Sequence, residues 1–338
     1  MRALSPLGIT VLLLAGGWAG PVQEKQGDAA LLREYIRGSD SELRSLERGG
    51  VLTQTLEAPD GREITTFGAI RVGCTADTFA TRVRNIEQFK ASEYVIQIGH
   101  FQPEPVLSDV AALTLDAADR EAMRSCKPGS CAVRLPAAAM ERFRTTIPWG
   151  TPGEAEAAAA AMRHFVVDEA RAYLAGGSAS MADYVDRSGT LPRAAAFRLL
   201  LRPSAFQAEY QPELFRWLDQ FPAGAVAGGD SFLYWSHERF GLKPVISISH
   251  SVLLRKSGAV VFGSKQVFAS HYFEASLGMA VYVPVPGASY GYVTYLNRSR
   301  VDTLRGILAP LARVVAARRA RSGLERNLLD VKRKLEKT

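Results

Sequence analysis

The chain has 338 residues, 47% of them hydrophobic and 22% charged, a balance that predicts a packed core and excludes a disordered or fibrous chain. Its 41 Lys/Arg exceed its 34 Asp/Glu, but ten basic against four acidic residues fall in 301–338, so the basic character belongs to one terminal segment. A basic face running through the whole protein, of the kind that grips nucleic acid, is therefore not expected.

The N-terminus has the layout of a secretory signal peptide. Arg2 precedes an apolar run, Leu7 to Ala19, and Gly17 and Ala19 are small residues before a cut at Gly20. The run is shorter than the ~20 apolar residues a membrane span needs, so export to the periplasm or medium is expected for residues 20–338; retention as an N-terminal anchor is the alternative. Three cysteines fit an oxidising compartment. Cys126 and Cys131 bracket the turn sequence Lys-Pro-Gly-Ser and are expected to form a local disulfide. Cys74 is left over, a buried thiol at a strand end.

Leu31, Leu32, Tyr35 and Ile36 open a helical pattern that Leu43 and Leu46 continue. Strands are expected at Val51 to Leu56 and Glu63 to Gly73, turning at Asp60-Gly61. Thr75 caps a predicted helix over 76–90, whose stripe is Phe79, Val83, Ile86 and Phe89. A strand follows at Tyr94 to Phe101. Asp116 is placed to cap a helix running towards Cys126. From about 151 to 240 the composition shifts to helix formers, read as an insertion: helices at 154–175, 193–201 and 212–220, and a fourth from an Asp230 cap containing Phe232, Leu233, Tyr234, Trp235 and His237.

Three strands in a meander then span 243–298. In the first, Ile246, Ile248, His250, Val252 and Leu254 share one face, and Ser247, Ser249 and Ser251 the other. The second is read as one long strand over 264–285. One face carries Val267, Ala269, His271, Phe273 and Ala275, the other Ser270, Tyr272, Glu274 and Ser276, and Gly278 marks a bulge or bend. Lys265 lies near its end as an edge lysine. A long basic helix follows from Val301, with Pro310 and Ser322-Gly323 as places where it could break.

This places His250 and His271 on the apolar faces of their strands. They read either as satisfied core histidines or as polar anchors in an apolar pocket, with Phe273, Tyr234, Trp235 and Tyr292 as further lining residues. No close-spaced ligand motif accompanies them, so neither a metal nor another cofactor is expected. No nucleophile elbow or phosphate loop is present.

The order of elements resembles the START-like, polyketide-cyclase-like helix-grip superfamily. A strand, a short helix and a strand (Glu63 to Phe101) precede a final meander (Lys243 to Arg298) closing on a terminal helix (Asp302 onwards). Within it, GAIRVGCTADTFATRVRNIEQF is similar to the family's opening strand and helix. The resemblance implies an α+β fold in which a curved antiparallel sheet grips the C-terminal helix and leaves an apolar cavity. It implies binding of a lipid or other hydrophobic small molecule and carries no catalytic residue over. The expected function is an exported binding or carrier protein rather than an enzyme. The alternatives are a hydrolase or cyclase-type enzyme using His271 or His250 as general base, and an envelope protein docking on a membrane through its basic helix.

Overall fold

The computed structural model describes residues 36, 38–58, 60–186, 189–201, 212–240, 243–256, 258–302, 304 and 309–337. The apolar run at 7–19, and Leu31, Leu32 and Tyr35, lie outside them.

Helix α1 (Asp40–Glu47) starts at a capping box: the Glu42 N–H donates to the Ser39 hydroxyl, and the Glu42 carboxylate accepts from the Ser39 N–H. Strands β1 (Val51–Leu56) and β2 (Glu63–Val72) form a hairpin. The predicted helix over 76–90 is two helices, α2 (Ala76–Arg84) and α3 (Ile86–Lys90). Thr75 caps the first as expected, and Asn85, with φ −80° and ψ 67°, breaks the run and caps the second. Strand β3 (Val95–His100) follows.

The insertion runs from residue 101 to 229, beginning earlier and ending sooner than composition suggests. It holds α4 (Ala117–Arg124), α5 (Ala137–Thr146), α6 (Glu154–Gly176), the small hairpin β4 (Tyr184–Asp186) and β5 (Gly189–Leu191), α7 (Arg193–Leu201) and α8 (Pro212–Gln220). Asp116 caps α4, and Cys126 and Cys131 are disulfide-bonded. Cys74 is a buried free thiol. The chain then returns to the sheet with β6 (Asp230–Arg239), β7 (Pro244–Lys256), β8 (Ala259–Ala269), β9 (Phe273–Pro284) and β10 (Gly291–Val301). It ends in α9 (Ala309–Glu336), which is continuous through Gly323.

The fold is α+β: a curved sheet of eight antiparallel strands in the order β1-β2-β10-β9-β8-β7-β6-β3, with the long C-terminal helix packed against it. On the front face, Ile70, Val260, Phe262, Tyr282 and Val293 pack with Phe79 and Val83 of α2 and with Leu324, Leu328 and Leu335 of α9. A Cβ on Gly68 would stand 2.6 Å from a Leu328 methyl, so glycine there lets α9 approach the sheet closely. On the back face, Trp235, Ile248, Val252, Val261 and Val281 are covered by Phe165, Val166, Phe197, Leu214 and Trp217 of the insertion. The insertion thus makes a two-layer grip into three layers.

Gly177 closes α6 with φ +57°, and a Cβ there would lie 1.7 Å from the Phe221 carbonyl oxygen. That oxygen belongs to backbone and cannot swing aside. Gly177→Ala is expected to cost at least about 3 kcal/mol, read as a lowered urea midpoint. An unchanged midpoint would contradict the close approach.

Two strand assignments differ from expectation. The segment from Asp230 is a strand, not a helix. Leu233, Trp235 and His237 face the insertion, while Phe232, Tyr234, Ser236 and Glu238 face front. Both faces are covered from Leu233 to Glu238, so the apolar run shows no period-2 alternation to separate it from a buried helix. The long strand read over 264–285 is two strands meeting at a corner, Ser270-His271-Tyr272, with Tyr272 at φ 59°. The corner takes His271 out of the strand ladder, and its side chain meets Asp119 of the insertion. Gly278 is no bulge: it pairs in register with Ser264 and Asn297, and the space a Cβ would take is occupied by the Tyr295 hydroxyl.

Candidate functional site

The two faces of the central strands differ in one respect. On the back of β8, β9 and β10, Val261, Gly263, Lys265, Leu277, Met279, Tyr292, Thr294 and Leu296 are all buried. On the front, Ser264, Ser276, Gly278, Tyr295 and Asn297 keep partial exposure, as does Phe232 on β6. Residues at the centre of an eight-stranded sheet stay partly accessible only where the covering layer stands off.

That layer frames the area from two sides. Helix α9 lies over β1 and β2, fixed by Arg321 to Thr53, Lys332 to the Arg71 carbonyl and Glu336 to the Gly73 N–H. Helices α2 and α3 cover one end, where Phe79 stacks on Tyr282 at 5.5 Å and Lys334 of α9 donates to the Phe89 and Ala91 carbonyls. The floor between them is polar. Ser236 and Ser247 share a hydrogen bond at 3.0 Å, Ser251 and Ser264 one at 3.4 Å, and Ser276 and Ser299 one at 2.9 Å.

A charged pair stands at its edge. Lys90 donates to Glu238 at 2.6 Å and lies 5.2 Å above the Tyr234 ring; Ser236 donates to the same carboxylate. Burial opposes the Lys90 charge, but the Glu238 carboxylate outweighs it and holds the ammonium above its ordinary value. Burial likewise pushes the Tyr295 phenol up, so it is a neutral hydroxyl. The front face therefore offers hydroxyls, two tyrosines and an internally compensated ion pair beside an apolar end at Phe262 and Tyr282. Such a surface holds a molecule with both polar and apolar parts.

Of the residues singled out in the sequence, only Tyr234 belongs to this face. His250 points the other way, into the insertion. Its Nδ1 is 3.0 Å from the Tyr173 hydroxyl, Phe221 packs on its ring at 4.3 Å, and its Nε2 has no partner among the described residues. Burial, helped by the Lys265 charge, lowers its pKa to about 3. Trp235 is also at the back, donating to the Asp109 carbonyl at 2.7 Å, and Tyr292 is buried there. A shared wall beneath the terminal helix is thus corrected: the apolar faces of β7 to β10 meet the insertion, and the serine face meets the grip.

Lys265, read as an edge lysine, is buried beside His250. Its ammonium donates to Ser178 and to the Leu218 carbonyl, and lies 4.5 Å from the Phe197 ring and 5.0 Å from the Tyr173 ring. Among the described residues no carboxylate pairs with it. Burial lowers its pKa to about 7, with Asp219 acting against the shift and Arg198 with it.

His271 sits at the corner where β8 and β9 part. Beyond Lys265 and Leu277 each strand pairs only with its outer neighbour. Insertion side chains satisfy the freed backbone: Arg193 donates to the Val267 carbonyl at 3.1 Å, the Tyr184 hydroxyl accepts from the Ala269 N–H at 2.9 Å, and Arg134 donates to the Phe273 carbonyl. A cavity of about 10 Å³ among Tyr184, Arg193, Gln266 and Phe273 has room for about one water. The His271 Nε2 is 2.8 and 2.9 Å from the two Asp119 carboxylate oxygens, and Lys243 stands 3.8 Å from the same carboxylate. His271 and Asp119 are both buried, so the pair ties α4 to the corner. Phe273 packs against Phe240 at 5.3 Å. His250 and His271 thus occupy separate environments and do not converge.

Sequence reasoning missed Lys90, Glu238, Tyr295 and the serines as lining residues. The signal was present in Ser247, Ser249 and Ser251. Three small hydroxyls alternating beside an apolar face are consistent with open solvent or with a polar cavity floor.

Comparison of the chain with family models, with curated proteins and with solved structures finds no match.

Proposed function

We propose that the protein is a binding or carrier module for a small amphiphilic molecule seated on the front of the sheet, between α9, α2–α3 and strands β6 to β10. The observation that carries this reading is the partial exposure of Ser264, Ser276, Gly278, Tyr295 and Asn297 at the centre of a sheet whose back is sealed. The order strand, short helices, strand, insertion, five-strand meander and terminal helix supports the helix-grip resemblance, which favours the same reading. The polar floor narrows the ligand from a wholly apolar lipid to one with hydroxyl, amide or carboxyl groups facing the serines and Tyr295. Export is part of the proposal: the Cys126–Cys131 disulfide is compatible with it, and among the described residues no helix is long and apolar enough to cross a membrane.

Titration with a fluorescent fatty acid tests the reading. Saturable binding is expected, at least about tenfold weaker in Ser264→Trp and Ser276→Leu, which fill the floor without touching the back-face core. Arg142→Ala, on the exposed surface of the insertion, is expected to bind like the parent. Failure of the parent to bind fatty acid or a hydroxylated analogue would sink the proposal, as would equal binding by the filled variants.

A further inference from the structure

The inward stripe of α9 is set by Leu324, Leu328, Val331 and Leu335. At 3.6 residues per turn, the opposite side carries Leu311, Val315, Arg318, Arg319, Arg326 and Leu329. Leu311 is 66% exposed, Val315 44% and Leu329 39%, with Val314 on the flank at 57%. Half of the exposed large hydrophobic residues among those described are therefore on this one helix. Arg318, Arg319 and Arg326 pair with no carboxylate among the described residues, whereas Lys332 and Lys334, nearer the sheet, are matched by Glu336 and Asp330.

The geometry points to the outward face of α9 as a docking surface for an anionic lipid bilayer. Apolar side chains in the first two turns, followed by unpaired guanidinium groups, match the two layers of such a surface. Leu311, Val314 and Val315 enter the acyl boundary while Arg318 and Arg319, about one to two turns further along the axis, meet lipid phosphates. Charge decides against the other occupants. A second copy of this face would set arginines against arginines, since its two acids are Glu325 at the flank and Asp330, which already pairs with Arg333 and Lys334. A nucleic acid would satisfy the arginines and leave the apolar residues in water. The inference is independent of what the front of the sheet binds.

The test is co-sedimentation of the full chain with vesicles of phosphatidylcholine alone and of phosphatidylcholine mixed with phosphatidylglycerol. Binding through the apolar N-terminal run would not distinguish the two, so the difference between them is the readout. About tenfold tighter binding to the anionic vesicles is expected, and its loss in Arg318→Glu/Arg319→Glu and in Leu311→Ser/Val315→Ser. All four side chains are exposed, so melting temperatures should be unchanged; if charge reversal lowers stability, Arg318→Gln/Arg319→Gln takes its place. Equal binding to both vesicle types, or full anionic preference in either double variant, overturns the inference. So does a concentration-dependent dimer that the leucine–valine variant abolishes while vesicle binding persists.

Discussion

Lys265→Met is expected to raise the stability of the protein at pH 7 and to flatten a pH dependence that the parent shows between pH 7 and pH 9. The ammonium is fully buried and lacks a carboxylate partner among the described residues, and its pKa falls from an ordinary 10.5 to about 7. The unfolded chain therefore holds this proton up to about pH 10 while the folded chain gives it up near pH 7. Stability rises with pH wherever the unfolded state binds more protons, so this lysine destabilises the fold most below pH 7 and progressively less above it. The full shift is worth on the order of 3–5 kcal/mol. Methionine keeps the volume and removes the charge, but leaves the Leu218 carbonyl without its donor, at about 1–2 kcal/mol. The net gain at pH 7 should be about 2 kcal/mol, read as a higher melting temperature. The comparison stops at pH 9 because burial pushes the Cys74 thiol up to about 11, and it opposes the lysine above its ordinary value. His250, lowered to about 3, adds a separate loss of stability below about pH 6, since it must stay neutral to remain buried. A parent protein whose melting temperature is flat from pH 7 to 9 would contradict the account of Lys265.

Glu63→Ala is expected to be the most damaging single change among the buried ion pairs, at about 3–5 kcal/mol. Glu63 and Arg298 are almost wholly buried, on β2 and β10 facing the insertion, with Nε to Oε1 at 2.6 Å. Thr65 donates to the same carboxylate oxygen, and Arg298 also donates to the Leu200 carbonyl at 2.7 Å. Removing the carboxylate leaves a guanidinium in a dry interior without its counter-charge. Removing both charges does not: Glu63→Leu/Arg298→Met should recover most of the loss, because no uncompensated ion remains. Urea unfolding of the two variants provides the comparison. A loss under about 1 kcal/mol in Glu63→Ala would mean that water reaches the pair.

The strands and helices with one solvent face were legible in the sequence, for a physical reason. The stripe of α2, the hairpin at Asp60-Gly61 and the caps at Thr75 and Asp116 are local signals, and each appears where expected. What failed was alternation at places covered on both sides. The segment Phe232 to Trp235 reads as an unbroken apolar run because the insertion takes one face and the grip the other. At Ser270-His271-Tyr272 the pattern passes unbroken through a corner, since a residue in the left-handed region leaves no mark when it is tyrosine rather than glycine. The same covering hid the candidate site. Apolar alternation identified a buried face of β7 to β9 correctly, but the helices that bury it belong to the insertion, on the side opposite α9, and no local pattern in the strands names them. Nothing local distinguishes a serine stripe facing solvent from one flooring a cavity.

The strand order also bears on time. β2 lies between β1 and β10, so one long edge of an early strand is matched only by residues Gly291 to Arg300, at the far end of the chain. The first hairpin and α2 emerge long before the partners that bury them, and α9, which covers that hairpin, comes last of all. A chain wired this way closes its sheet in one late step spanning more than 200 residues, and pairings so distant in sequence fold slowly. Until then β2 presents an unpaired edge, Phe67 to Val72, rich in the residues that aggregate. Passage across a membrane as an extended chain would suit such wiring, since the early strands need not find partners before the last ones arrive.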